Sequence, residues 1–523
     1  MKHLDAGVSY WHDSEPDGDR SGVSLPPEAD VVVVGGGIAG LTTTYLLTQA
    51  GRTVALLEAR RLAGGVSGST TAKVSAQHGA KYARLARSYG SQTAADYAAS
   101  NIAALEWIAD EQRTLGVDCQ FERKDSYVFT AEPGQASQLA DEATAAAEAG
   151  LAATTVSGDI GLPISPVDAV RFTDQAQFHP RRWLLALADR AESAGCHIVE
   201  GARVLQVAET DFGLIVRSSR GSVRARDVVI ATHYPILDRG LYFARLAPTH
   251  DLVVAAEVDE PLPGIYLAID TGHSVRTTPL DNGKHLLLVL GEHYRTGDDV
   301  DVSARYERMT DWAQRWFGIG EPDYRWSAHD LATPDALPYI GHYHPLVNHL
   351  WVATGFAQWG MTGGTLAGML LRDLITGVDN PLAHLYSPNR LLGPRAVRAI
   401  GKANLQTARH AVVGHVKALI HRKHPHQLEV GESTVTTVGT SMVAAYRDSD
   451  AVLHAVSARC THLGCVVAFN NAEKTWDCPC HASRFDLDGS VLNGPAVKPL
   501  EPTSLDQEQL DITDTERPPP APS

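Results

Sequence analysis

The residues of this chain best equipped for chemistry lie near its end. C-T-H-L-G-C begins at Cys460, and C-P-C-H-A-S-R-F runs from Cys478 to Phe485. Cys460 and His462 form one pair of metal ligands, Cys478 and His481 the other. Two thiolates and two imidazoles from paired short loops can hold one centre. A mononuclear zinc site is one candidate. A [2Fe–2S] centre with two histidines on one iron and two cysteines on the other is the second. Zinc fingers place two like ligands in each loop, as in C-x-x-C with H-x-x-x-H. Here each loop carries one Cys and one His, so each can feed both irons.

A second site is written near the start. Residues 29–60 read A-D-V-V-V-V-G-G-G-I-A-G-L-T-T-T-Y-L-L-T-Q-A-G-R-T-V-A-L-L-E-A-R. The branched apolar run 30–34 predicts a buried strand, and 53–57 a second one. Between them, Gly35, Gly37 and Gly40 give G-x-G-x-x-G at the turn into a helix that ends at residues 50–51. Gly35 permits the tight turn, Gly37 lets the backbone approach a pyrophosphate, and Gly40 lets helix and strand pack closely. The helix N-terminus, with the backbone of Ile38 and Ala39, favours phosphate charge. Glu58 closes the second strand at about the ~20-residue offset of a ribose-binding acid, and Ala59 and Arg60 follow it. The unit is expected to bind a dinucleotide.

The rest of the chain must position these two sites. Its 523 residues exceed one hydrophobic core, so two or more domains are expected. The net charge of −16 argues against a nucleic-acid surface. No apolar run is long enough to span a bilayer, and M-K-H-L-D-A-G-V-S-Y-W-H-D has no apolar h-region, so a cytoplasmic protein is expected. Cys119 and Cys196 read as buried thiols. Residues 1–28, rich in Asp, Gly, Ser and Pro, read as an irregular arm. Residues 29–390 form the dinucleotide-binding domain, with a substrate subdomain inserted at about 240–330. Residues 391–426 are a helical linker, 427–513 a domain of short strands, and 514–523 a tail disordered by composition.

Helices are predicted over 94–115 and 135–150, with residues 80–200 mostly scaffold. Runs such as L-V-V-A-A-E-V and H-L-L-L-V-L-G-E predict an antiparallel sheet in the substrate subdomain. Candidate pocket residues are His250, Tyr266, Arg276, His293, Tyr294, His329 and Trp359. Each has a plain alternative as a core or surface residue. The stretch 396–421 is a basic amphipathic helix, a type that can lie on a membrane surface. The preferred reading is a bridge between domains, with membrane contact peripheral at most. His421, His424 and His426, with Pro425 among them, read as a solvated turn.

The C-terminal motif resembles the Rieske domain of cytochrome bc complexes. The resemblance implies a [2Fe–2S] cluster on Cys460, His462, Cys478 and His481, and a Cys465–Cys480 disulfide stapling the two loops. Gly494-Pro495-Ala496 resembles the proline loop that covers the cluster. Ser483 matches a serine that hydrogen-bonds a bridging sulfide. Phe485 stands where those domains have a tyrosine that bonds a cysteine sulfur. Donors of this kind raise the potential, so a potential below that of quinol-oxidising Rieske proteins is expected.

The first domain resembles the D-amino-acid-oxidase-like (glycine-oxidase type) FAD enzymes. Residues 349–375, H-L-W-V-A-T-G-F-A-Q-W-G-M-T-G-G-T-L-A-G-M-L-L-R-D-L-I, look like that family's C-terminal flavin segment, which implies FAD contacts from Gly355, Gly360, Met361 and Thr362. D-A-L-P-Y-I-G at 335–341 departs mildly from the family's D-G-L-P at Ala336. Strands at 225–232 and 202–207 resemble those under the flavin and beside adenine, implying roles for Thr232 and Val204. G-G-V-S-G-S-T-T-A-K-V-S-A-Q-H at 64–78 resembles a bacterial subgroup that fuses this oxidase to a Rieske domain. It implies flavin or phosphate contacts from Thr70, Thr71, Ala72 and Lys73, with Gln77 and His78 as further candidates. The subgroup usually has Gln-Asp where this chain has His329-Asp330.

The fold class implied is α/β: a Rossmann-type FAD domain, an antiparallel substrate sheet and a C-terminal all-β domain. The implied activity is oxidation of a C–N bond in an amine or amino acid. Electrons would pass from FAD through the cluster to an external carrier. The alternative is an electron-transfer module serving a ferredoxin or a partner oxygenase. A second Rossmann motif for NAD(P)H would favour that, and none is found beside the one at Gly35.

Overall fold

The computed structural model describes residues 7–18, 20, 22–211, 213–420, 423–503 and 505, without the side chains of residues 406 and 410–420. His421 and the tail 514–523 lie outside these. One compact unit comprises Met1–Tyr294 with Ser303–Ile400, and a second comprises Arg295–Val302 with Gly401–Ser523.

The first unit is built on two sheets. In the nucleotide sheet, Glu28–Val34 lies between Val54–Leu57 and Gly221–Ile230, parallel to both. His197–Val199 and Val347–Thr354 extend it at the two sides in the same sense. Val31, Val32, Val33 and their neighbours are buried on both faces, as a parallel sheet requires. Two helices cover one face. Ile38–Gln49 and Gly360–Thr376 touch through glycines: a Cβ on Gly364 would meet Ile38 Cγ2 at 2.6 Å, and one on Gly368 would meet Thr42 Cγ2 at 2.6 Å. Both steps advance by four residues in the same direction. The helices therefore run parallel, with their N-termini at the same end.

The second sheet runs in the order Tyr324–Ala332, Ala247–Val258, His285–Arg295, Ser274–Pro279, Gly264–Ala268, Glu122–Thr130, Asp168–Gln177, Lys73–Val74. It is largely antiparallel, with one parallel pair, Gly264–Ala268 beside Glu122–Thr130. It draws on more chain than 240–330, since strands from the supposed scaffold complete it. The charged opening E-R-K-D of Glu122–Thr130 hides that strand in the sequence. Those four residues lie in its less buried half.

The arm over 1–28 is not irregular throughout. Tyr10–Ser14 is a helix, and Trp11 is fully buried. The Asp, Gly, Ser and Pro content obscured a Tyr-Trp pair with enough apolar area to dock.

The second unit holds a three-stranded sheet, Ser433–Val438, Ser441–Arg447 and Leu453–Ser457. A four-stranded sheet follows, Ala468–Asn470, Thr475–Asp477, Arg484–Phe485 and Val491–Asn493, with all pairs antiparallel. Tyr446, Trp476, Phe485 and Leu500 fill its core. His424 and His426 stack on each other in a 3-10 turn at Pro425–Gln427. Among the described residues, no helix is long and apolar enough to cross a membrane.

Candidate functional site

The turn after Glu28–Val34 accepts nothing but glycine at two points. Gly35 has φ +108°, and a Cβ on Gly40 would lie 1.9 Å from the Gly35 carbonyl oxygen. The helix that follows has no capping side chain of its own. Ser67 supplies one from a distance, with the Ile38 N–H donating to its Oγ at 3.0 Å. Ser67 was not singled out in the sequence, where nothing but its place in the 64–78 stretch pointed to it. Glu58 accepts from the Gly36 N–H at 2.7 Å and the Arg60 N–H at 2.8 Å. Burial pushes its carboxyl up, while those amides and the Arg60 and Arg203 charges oppose the rise. Val204 is buried at the start of Val204–Thr210. Thr232 turns its hydroxyl onto the Tyr234 carbonyl at 2.7 Å.

The loop from Ser67 to Ala72 shows an unusual pattern. Four successive carbonyls are taken by side chains from elsewhere. Ser9 Oγ donates to Gly68 O at 2.5 Å, Trp326 Nε1 to Ser69 O at 2.8 Å, Trp11 Nε1 to Thr70 O at 2.6 Å, and Arg276 Nε to Thr71 O. In a planar trans peptide the N–H points away from its C=O; of the four amides of 69–72, Ser69 N–H donates to Val66 O at 3.1 Å and Ala72 N–H to Thr70 Oγ1 at 3.0 Å. Those of Thr70 and Thr71 find no acceptor among the described residues. Two adjacent open amides can form a nest for an anion. It is flanked by both helix N-termini: Ser67 bonds Ile38, and Ser75 O accepts from Thr362 Oγ1 at 3.2 Å. The positive ends of two helix dipoles thus bracket the nest. These residues fit a long diphosphate dinucleotide.

Before the helix Gly360–Thr376, Gly355, Ala357 and Gln358 take φ values of +78°, +49° and +71°. The turn brings Gln358 Nε2 to Asp251 Oδ2 at 2.9 Å. Asp251, buried on Ala247–Val258, also accepts from His293, whose side chain is 38% exposed. Asp330 lies on the same face, since Thr249 pairs with Asp330 as Asp251 does with Ala328. Burial first, and then the Asp251 charge, push its carboxyl up to about 7. Lys73 lies beside this cluster. Its Nζ donates to Ser274 Oγ and lies 5.5 Å from the Trp359 ring centre. Burial, helped by Arg276 and opposed by Asp251, brings it down to about 7. His78 is buried, stacks on Trp359 at 4.4 Å, and bonds Tyr97 OH at 2.6 Å and Ser75 O at 2.6 Å. Gln77 instead accepts from Ser126 Oγ at 2.9 Å.

The other pocket candidates separate by strand alternation. His250 and His329 pair directly and point to the opposite face of the sheet. There His250 Nδ1 meets Tyr294 OH at 3.0 Å and the two imidazoles lie 5.1 Å apart. Tyr266 is core: its hydroxyl donates to Ile160 O at 2.7 Å and its ring stacks on Tyr127. Arg276 is consumed by backbone carbonyls and the face of Trp11.

In the second unit the two ligand loops repeat one hydrogen-bond plan. Cys460 N–H donates to Cys465 O at 2.8 Å and receives Gly464 N–H on its own carbonyl at 2.9 Å. Cys478 N–H donates to Ser483 O at 2.8 Å and receives Ala482 N–H at 2.9 Å. Gly464 and Ala482, at matching places, both have positive φ. The Cys460 and Cys478 sulfurs lie within hydrogen-bond reach of each other. The His462 and His481 rings sit 5.0 Å apart. Cys465 and Cys480 are disulfide-bonded, and their sulfurs and that of Cys478 lie within 4.8 Å of one another. Ser483 Oγ accepts from Ala496 N–H at 3.0 Å and bonds the Cys460 sulfur. Two sulfurs and two imidazoles converging from two matched loops fit the ligand set of a [2Fe–2S] centre.

A dinucleotide cradle beside an acid–base cluster, with a Cys2His2 loop pair in a second unit, defines an oxidoreductase carrying FAD and an iron–sulfur centre. The chain belongs to the FAD-dependent oxidoreductase family of D-amino-acid-oxidase type, whose model, FAD dependent oxidoreductase, matches residues 30–374. The Rieske [2Fe-2S] domain model matches residues 418–505, which closes the choice between zinc and an iron–sulfur cluster. The chain is 34% identical over 507 residues to YhfW of Bacillus subtilis (strain 168), described as a Rieske 2Fe-2S iron-sulfur protein, covering 96% of this chain and 98% of that one. It is 25% identical over 370 residues to gamma-glutamylputrescine oxidoreductase of Escherichia coli (strain K12), covering 66% and 84%. Its fold matches glycine oxidase from Geobacillus kaustophilus with a TM-score of 0.60 at 21% identity, over 70% of this chain and all of that one.

Proposed function

We propose that the chain oxidises a C–N bond of an amine or amino acid at its FAD site and passes the electrons through its own cluster to an external carrier. The observation that carries this reading is the gathering of Lys73, Asp251, His293 and Asp330 beside Trp359, at the N-terminus of helix Gly360–Thr376. FAD supplies a two-electron acceptor for hydride, and the cluster a one-electron relay. The chain's own part is proton management. An amine yields hydride from its neutral form, so its ammonium proton must first be taken up. Lys73, brought down to about 7, is neutral in part near pH 7 and can hold that proton. His293, held between Asp251 and the Gly272 backbone, favours the charged form at the accessible edge. Asp251, and the ionised fraction of Asp330, offer negative charge to a cationic nitrogen. The substrates named for two relatives, gamma-glutamylputrescine and glycine, support a nitrogen-bearing substrate.

The test is anaerobic. Amines and amino acids are added singly while flavin absorbance and the cluster spectrum are recorded. Bleaching of the flavin, followed by reduction of the cluster, is expected for at least one compound. If no compound reduces either centre and a reduced ferredoxin does, the reading gives way to an electron-transfer module.

A further inference from the structure

We propose that the helix Tyr10–Ser14, with Ser9 ahead of it, is a clasp that holds the Ser67–Ala72 loop in its cofactor-binding form and sets how long FAD stays bound. The loop presents its amides to the cofactor only while its carbonyls are engaged elsewhere. Two of the four donors, Trp326 and Arg276, stand on the second sheet, where strand ladders fix them. The other two, Ser9 and Trp11, come from the N-terminal segment.

That segment is held by side chains rather than by its own helix. Five residues are too few for a helix to persist alone. The Trp11 ring packs edge-on to His179 at 4.9 Å, with the Arg276 guanidinium 5.3 Å from its centre. Tyr324 OH donates to Asp13 at 2.7 Å, and Ser14 Oγ meets His179 Nε2 at 3.0 Å. Arg181, fully buried, ties the segment to the start of the loop. It donates to Glu15 O at 2.9 Å and Asp17 Oδ1 at 2.8 Å, and also to Leu62 O at 3.2 Å. His12 packs so closely on Gly68 that a Cβ there would meet its Cε1 at 2.5 Å. The segment therefore grips the chain at Leu62 and again at Gly68 and Thr70. Cofactor and clasp favour one loop geometry, so each stabilises the other. Release of FAD requires the segment to lift.

Ser9 and Trp11 are positioning residues, and the test separates their bonds from general packing. In the holoenzyme of S9A/W11F the ring at position 11 remains and both donors are gone. FAD release into FAD-free buffer, read by recovery of free-flavin fluorescence, is expected to quicken about 30-fold, as two bonds of ~1 kcal/mol each predict. The far-UV spectrum of the FAD-free protein should be unchanged, so that folded proteins are compared. A folded double variant that releases FAD at the wild-type rate overturns the proposal. If the variant does not fold, hydrogen exchange of the wild-type protein decides. FAD loading should protect residues 10–14 and 69–72 together, and protection of the loop alone overturns the clasp. The proposal rests on FAD as the ligand, which the spectrum of the released chromophore checks separately.

Discussion

His293 meets Asp251 because Glu292, one residue earlier, breaks the alternation of its strand. Leu286, Leu288 and Leu290 share the core face with Val253 and Ala255 of the neighbouring strand, so regular alternation would put Glu292 on that face next. Glu292 instead takes φ +51°, in the left-handed region. The side-chain order shifts by one, and His293 turns onto the face that carries Asp251.

The pair should show in the pH dependence of stability. The hydrogen bond to Asp251 raises the His293 pKa above its ordinary value, against the pull of burial. The stabilisation is fully present below the unfolded value of about 6.5 and is lost as pH rises through the folded value. The wild-type thermal midpoint should therefore carry a component that falls over that rise, and Asp251→Asn should flatten it. NMR titration of His293 gives the direct check. Equal midpoints for His293 in the two proteins would refute the assignment.

How far the sequence could be read differs between the two sites. The paired Cys-His loops were legible, because short loops bring near neighbours together whatever the surrounding fold, and the family resemblance favoured a cluster on them over zinc. The G-x-G-x-x-G turn was legible for the same reason. The acid–base cluster was not. Asp251 sits in an apolar strand and looks like its edge, and the shift at Glu292 has no sequence signature. His250 and His329 drew attention by residue type, yet strand parity sends them to the other face. Tyr266 needed only the carbonyl of Ile160 to be a satisfied core residue. The loop carbonyls engaged by Ser9 and Trp11 depend on contacts 59 positions apart in the chain, which local periodicity cannot show.

Ala336 is a measurable departure from the family pattern. Its φ is +65°, a conformation that suits the glycine found there in D-G-L-P. Ala336→Gly should raise stability by about 0.5–1 kcal/mol, the relief of strain being partly offset by the greater freedom of glycine when unfolded. Denaturant unfolding of the two proteins checks this. A less stable variant would mean that the methyl group's packing outweighs the strain.

Phe485 should hold the cluster potential down. Its ring is fully buried in the core of the second unit and brings no hydroxyl to a ligand sulfur. Phe485→Tyr adds a donor where related Rieske domains have one. A bond that strengthens by ~1 kcal/mol on reduction raises a one-electron potential by roughly 40 mV. A redox titration should find the wild type below the top of the range of about −150 to +300 mV, and the variant above the wild type. A wild-type value at the top of that range would contradict this account.

Acid should loosen the N-terminal helix before it unfolds the rest. Two histidines packed there are held neutral. Burial brings His12 down to about 4, helped by the charges of Arg181 and Arg60 against Asp17. Burial brings His179 down to about 3, helped by Arg182, Arg276 and Arg181. Above the unfolded value of about 6.5 both are neutral in either state and contribute no pH dependence. Below it the unfolded segment binds protons that the docked segment refuses, so docking weakens progressively from about pH 6.5 down to the folded values. Release of FAD from the holoenzyme should quicken as pH falls through that window. His12→Gln keeps a neutral polar side chain and removes one of the two titrations, so the rise should be shallower in the variant. Stopped-flow flavin fluorescence between pH 7.5 and 4.5 measures both. Parallel curves for wild type and variant would show that acid acts elsewhere, for instance at Glu58.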